Sequence, residues 1–267
     1  MTPNLRAFAF GGGVQSTACL VLAAQGRIDF PTFLFANVGA DSENPATLDY
    51  AENIAKPYAA RHGLDLVELA KVKRGGDIET IMSRIHSTAR SVPIPARMSN
   101  GAPGNRTCTV DFKIAVLDKW LKRHGATPDT PAVLGLGISL DELHRAHTDR
   151  PGEEFKRKSY PLLDLRMTRQ DCMNVIKQAG LPIPPKSSCY FCPFHTMGEW
   201  QRLRREYPDL FQKSVELEEY LNTKRATLGK DRVWLTRHAR PLAEVVGDQG
   251  VLEGVFDDNC DSGYCLV

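Results

Sequence analysis

Apolar and polar positions along the chain fall into two alternating kinds of block. Short, nearly continuous apolar runs occur at Arg6–Phe10, Pro31–Val38, Leu64–Leu69 and Pro131–Ile138, and each reads as a buried strand. Between them lie longer stretches with helical periodicity: Ser16–Ala24 before Gly26, Pro45–His62 before Gly63, Ile78–His86 and Val110–His124. Strand, helix, strand, helix, strand at these spacings predicts right-handed βαβ units and therefore a parallel sheet. After the fourth strand, Gly152–Tyr160 is polar and carries no predicted element. Helices are then expected at Thr168–Ala179, with Thr168 as N-cap, at Met197–Arg205 and at Leu210–Thr227. The last segment, Val251–Val267, is a polar tail. No internal repeat or low-complexity tract interrupts the chain.

The pattern predicts an α/β fold, a doubly wound parallel sheet with a C-terminal helical, cysteine-containing region. Its 267 residues divide as 1–165, a nucleotide-binding α/β domain, and 166–267, the helical region. Hydrophobic residues make up 42% and charged residues 25%, which excludes disordered and fibrous classes. A net charge of +2 points to no partner by itself. Two local runs, Arg145–Lys158 and Arg202–Arg205, are basic and read either as solvated faces or as contacts for nucleic acid or polyphosphate. The N-terminal residues lack the apolar core of a signal peptide, and no stretch reaches the ~18 apolar residues of a membrane span. A cytoplasmic, soluble protein is the expectation, with no membrane partner, and a homodimer is left open.

Gly11-Gly12-Gly13-Val14-Gln15-Ser16 follows a predicted strand and opens a predicted helix. Glycines let backbone approach phosphate oxygens, and the N–H groups at the helix start complement negative charge. The alternative is a tight turn with no ligand. The loop is neither Gly-x-Gly-x-x-Gly nor a Walker loop. It resembles the PP-loop of the adenine nucleotide alpha-hydrolase-like superfamily, Ser-Gly-Gly-x-Asp-Ser. Gly12, Gly13 and Ser16 match that form, Gly11 replaces Ser, and Gln15 replaces Asp. The phosphoadenosine phosphosulfate reductase branch carries a Gln near the same place.

The resemblance continues along most of the chain. Asn37 to Pro45 is similar to the acidic, glycine-containing turn after the family's second strand. Arg106-Thr107-Cys108-Thr109 with Lys113 is similar to its Cys-x-x-x-x-Lys region. Gly135 to Glu142 with Arg145 resembles its strand-end motif, with Ser139 in place of Arg, and Tyr160-Pro161-Leu162 resembles its Tyr/Phe-Pro-Leu segment. It implies nucleotide contacts from Gly11, Gly12, Gly13, Gln15, Ser16, Val38, Lys113 and Gly137. Asp41, Glu142 and Arg145 become candidates for catalysis, with Asp41, Asp141 and Glu142 able to hold Mg²⁺ or orient ATP. Against this, Asp41 and Asp141 read equally well as helix-start acids, and Lys113 and Arg145 as surface charge.

Seven cysteines remain to be explained: 19, 108, 172, 189, 192, 260 and 265. An odd number without an export signal argues against a disulfide framework. Cys19 and Cys172 sit in apolar-periodic helices and read as core. Cys189-x-x-Cys192 in a Ser/Pro-framed turn has chelate spacing, which fits zinc as well as iron. One remote cysteine, Cys108, plus this pair resembles the superfamily's iron–sulfur members, which implies a 4Fe-4S cluster, with Zn²⁺ as the alternative. Cys260 is the candidate fourth ligand and Cys265 a candidate sulfur-accepting nucleophile.

The combined expectation is an ATP-dependent, adenylating sulfurtransferase with a sulfur donor and an acceptor such as tRNA or DNA. Two rivals stand beside it: a reductase of adenylylsulfate or phosphoadenylylsulfate, and a zinc-stabilised nucleic-acid-binding protein. The reductases' Cys-Cys pair and Glu-Cys-Gly-Leu-His tail are missing here.

Overall fold

In a computed structural model the described residues are 5–87, 90–147, 149 and 151–247. The strands are β1 (Arg6–Ala9), β2 (Thr32–Asn37), β3 (Asp65–Ala70), β4 (Ala132–Leu136) and β5 (Lys156–Ser159). They form one sheet, all parallel, in the order β3-β2-β1-β4-β5. The first four are the apolar runs of the sequence. The fifth lies in the polar stretch where the sequence predicts no element. It pairs with β4 in the register Ala132↔Lys156 to Gly135↔Ser159. An edge strand needs apolar contact on few sides, and its lysines discourage pairing with another sheet. Lys156 itself is only 2% exposed, its ammonium set between Asp118 (2.7 Å) and Glu153 (3.1 Å).

The helices follow in chain order. α1 is Val14–Ala24. α2 (Pro45–Tyr50) passes through a π turn, Ala51–Ala55, into α3 (Lys56–Arg61), so the helix predicted to run unbroken is interrupted. α4 is Ile81–His86, and α5 (Thr107–Thr109) leads through a second π turn, Val110–Ile114, into α6 (Ala115–Arg123). α7 (Pro161–Asp164), α8 (Arg169–Gln178), α9 (Met197–Glu206), α10 (Pro208–Thr227) and α11 (Leu242–Val245) complete the described chain. Among the described residues no helix is long and apolar enough to cross a membrane.

Strand periodicity of two assigns the layers. Phe33 and Phe35 face one way and join Phe8, Leu20 and Leu22 of α1, Tyr50 and Tyr58, and Val175 and Ile176 of α8. Leu34 and Ala36 face the other way and join Leu134, Leu136, and Leu117 and Leu121 of α6. Helices on both faces of an all-parallel sheet make the doubly wound α/β fold. Cys19 and Cys172 lie wholly inside the first layer, and burial raises Cys172 to about 12. A third core forms where the sheet's carboxyl edge meets the C-terminal helices. Val38, Ile81, Phe112, Phe191, Trp200 and Leu221 fill it, and Cys108 and Cys189 pack against it. Glu218 of α10 closes this core by accepting the backbone N–H groups of Leu235 (2.6 Å) and Leu242 (2.8 Å).

Candidate functional site

The strand order reverses between β1 and β4, since the chain steps outward from β1 on one side and from β4 on the other. At such a switch point the loops leaving adjacent strands diverge and open a crevice at their carboxyl ends. Two loops flank it: Phe10–Gly13 after β1 and Gly137–Ser139 after β4. Gly12 has φ +78°, and a Cβ there would lie 2.8 Å from Thr47 Cγ2, so no side chain fits. A Cβ on Gly137 would lie 3.3 Å from the Ser16 backbone nitrogen, which explains the glycine by close packing of β4's exit on the start of α1. Gly13 is the N-cap of α1, whose first turn holds no acidic residue and no side-chain cap. The helix start is thus left suited to an anion. Ser16 donates to Gly13 O (3.0 Å), and Ser187 donates to the Gly11 carbonyl from above.

Around the crevice the polar side chains are already tied to one another. Gln15 donates to Glu142 (3.1 Å) and Ser139 (3.4 Å) and accepts from Arg169 (3.1 Å). Arg145 pairs with Glu142 at 2.7 Å. Asp141 accepts the backbone N–H of Arg169 (2.8 Å), so it steadies the start of α8. Asp41 accepts the hydroxyls of Ser42 and Thr80, both at 2.8 Å, and links the turn after β2 to the start of α4. Val38 is fully buried, and its carbonyl accepts Ile81 N–H (3.1 Å). The carboxylates of Asp41, Asp141 and Glu142, the candidates for Mg²⁺, each accept from donors on the chain itself.

A cavity of about 100 Å³ lies on the α6 face of the sheet beneath the crevice. Leu34, Ala36, Leu134 and Leu136 line it with apolar surface, Gly11 borders it, and Lys113, Arg145, Lys156 and Lys158 add cations beside Asp118 and Glu153. Within the basic run, Arg145, Lys156 and Lys158 line the cavity and are paired, Arg145 with Glu142, Lys156 with Asp118 and Lys158 with Glu153 at 2.9 Å, while Arg157 is exposed.

The three thiols sit beside this cavity without lining it. Cys108 is the middle residue of the short α5, and the turn Cys189–Cys192 is closed by Cys192 N–H on Cys189 O (3.1 Å). Burial pushes all three upward, Cys192 to about 11 and Cys108 and Cys189 in the same direction. After burial, Glu43, Cys192 and Cys108 raise Cys189 further while Lys113 lowers it. Lys113 and Arg106 likewise draw Cys108 down, so the sulfurs share one electrostatic neighbourhood with a cation on it. Among the described residues, no three His, Cys, Asp or Glu side chains are placed to hold a single metal ion. Cys260 and Cys265 lie outside the described residues.

Lys113 therefore belongs to both halves, lining the cavity and facing the thiols. So does the segment before Cys189, through Ser187 on Gly11. Sequence reasoning does not single out Ser187, Glu43, Arg169 or His195. Glu43 is detectable as an acid beside the candidate Asp41, and His195 as the histidine three residues after Cys192. Ser187 and Arg169 carry no local signal, because their partners lie more than a hundred residues away.

No protein-family model matches the chain, and no curated protein matches it. Among solved structures it is similar to the U34-tRNA thiolase NcsA from Methanococcus maripaludis, solved with its [4Fe-4S] cluster. The identity is 14%, the match covers 82% of this chain and 72% of that one, and the TM-score is 0.43. So distant a likeness carries no argument about activity.

Proposed function

We propose that the chain is an ATP-dependent sulfurtransferase that adenylates its acceptor at the glycine bend and holds an iron–sulfur cluster on Cys108, Cys189 and Cys192. The observation that carries this reading is the double connection between the two halves. Ser187 rests on Gly11 two residues before Cys189, and Lys113 serves the cavity and the thiols together. A structural zinc is the less favoured occupant. Zinc thiolates converge on one ion at about 2.3 Å, whereas a cluster gives each thiolate an iron of its own. The coupling of Cys189 to both Cys108 and Cys192 supports a centre shared by the three thiols.

Such a cluster supplies, when bound, a thiophilic site for sulfur. The chain's own groups account for the rest. N–H groups of the bend and of the first turn of α1 hold the phosphates, and Lys113 and Arg145 face them from the cavity wall. An acceptor oxygen attacks the α-phosphorus, the bond to the β-phosphate oxygen breaks, and pyrophosphate leaves with the electron pair. A hydrosulfide-equivalent donor then bonds to the acceptor carbon or phosphorus, and AMP departs with the acceptor's oxygen. The apolar lining keeps water from the activated acceptor.

Full-length chain handled without oxygen, given ATP, sulfide and either tRNA or DNA, is expected to release AMP and pyrophosphate in step with acceptor-bound sulfur. Absence of both products removes the adenylating reading. Sulfite from adenylylsulfate with thioredoxin and no ATP would establish a reductase, and a colourless protein with one zinc per chain would replace the cluster.

A further inference from the structure

Glu43 is 1% exposed, and its Oε1 has no hydrogen-bond partner. Burial raises Glu43 above its ordinary value while Lys113 and the Asn44 backbone N–H draw it down, so one carboxyl oxygen is served and Oε1 is left without a partner. The backbone brings it to the thiols. Glu43 pairs with Cys189 in an antiparallel bridge, flanked by Asn44 N–H on Ser188 O (3.1 Å) and Tyr190 N–H on Ser42 O (3.3 Å). Among the charges acting on Cys189, that of Glu43 comes first, and Lys113 faces both groups. A rival for the same role is His195, whose Nδ1 is also buried without a partner. Its Nε2 meets Ser188 Oγ at 2.9 Å, however, and the charges around it are Glu199 and Lys186, with no thiol among them.

We propose that Glu43 is the fourth protein ligand of the cluster, its Oε1 binding the iron that Cys108, Cys189 and Cys192 leave without a protein ligand. This rests on the cluster reading above. A carboxylate is a hard donor among soft thiolates, so the iron it holds differs from the other three and exchanges more readily. That difference gives sulfur a designated point of entry.

The test is Mössbauer and electron paramagnetic resonance spectroscopy of full-length chain reconstituted without oxygen from isotopically enriched iron and sulfide. Wild type is expected to show one iron in four with oxygen ligation. Glu43→Gln, which keeps the shape, is expected to lose that signature and to yield a three-iron cluster on mild oxidation. Glu43→Cys is expected to keep four irons but make them alike, and Cys260→Ser to match wild type. Circular dichroism checks that each variant folds, and if Glu43→Gln does not, Glu43→Cys carries the comparison. A wild-type spectrum in the Glu43 variants, or loss of the distinct iron in Cys260→Ser instead, overturns the assignment while leaving the cluster standing. Wild type that takes up no cluster overturns both.

Discussion

Gly12 shows how one residue can serve fold and ligand together. Its φ of +78° lies where an L side chain costs about 1–2 kcal/mol, and its missing Cβ leaves the room that Thr47 Cγ2 would contest at 2.8 Å. Gly13 has neither constraint: its φ is −101°, and a Cβ there would stand 3.9 Å from Ser187 Cβ, an ordinary contact. Gly12→Ala should therefore lower stability by about 2 kcal/mol and weaken ATP binding, while Gly13→Ala should be close to neutral for stability. Urea midpoints and nucleotide titrations on both variants measure this. Equal midpoints would mean that the bend is not strained as described. Gly12 and Gly13 are legible from sequence, because three glycines between a strand and a helix have few other uses. The knot of Gln15, Glu142, Arg145 and Arg169 is not, since Arg169 looks like any exposed first-turn residue until the fold brings α8 against α1.

Among the elements, the uncapped start of α1 contrasts with three helices near the site, α4, α8 and α9, whose starts are fixed by capping boxes. Thr80, Thr168 and Thr196 each accept the N3 backbone N–H, with Ser83, Asp171 and Glu199 returning the bond. Removing such a cap costs about 1 kcal/mol. Thr168→Ala and Thr196→Ala should lower the unfolding midpoint to a similar degree. Only Thr196 lies next to the thiol turn, where Glu199 also pairs with Lys186 at 2.5 Å, so only Thr196→Ala should reduce iron retained after reconstitution. Iron content per folded chain decides it, and equal iron in the two variants would uncouple α9 from the thiols. At this scale the sequence is legible wherever periodicity is strong. It is silent at the two π turns, which periodicity of 3.6 cannot reveal, and the second of these carries Lys113.

For the whole molecule, strand order can be expected only as a class. Alternating strands and helices imply a parallel sheet, but the place where the order reverses is set by which layer each crossover helix covers. β5 is invisible in the sequence because an edge strand of Lys-Arg-Lys-Ser has no apolar signal. Besides its pairing with β4 it is held by ion pairs, which make the cavity wall sensitive to acid. Burial works to raise Glu153, yet Lys158 and Lys156 beside it draw it from 4.5 to about 2. A carboxylate held below its ordinary value stabilises the fold above that value, and the contribution is lost as pH falls through the folded one. Between 4.5 and about 2, wild type should thus lose stability faster than Glu153→Gln, whose neutral amide does not titrate. Partial exposure of Glu153 screens the pair and keeps the difference modest. Because Glu153, Lys156 and Lys158 all line the cavity, ATP affinity should respond over the same acid range in wild type and vary less in the variant. Denaturant midpoints and nucleotide titrations at descending pH test the two together. Parallel curves for the two proteins would show that the edge strand is held by its backbone pairing with β4 and not by its charges.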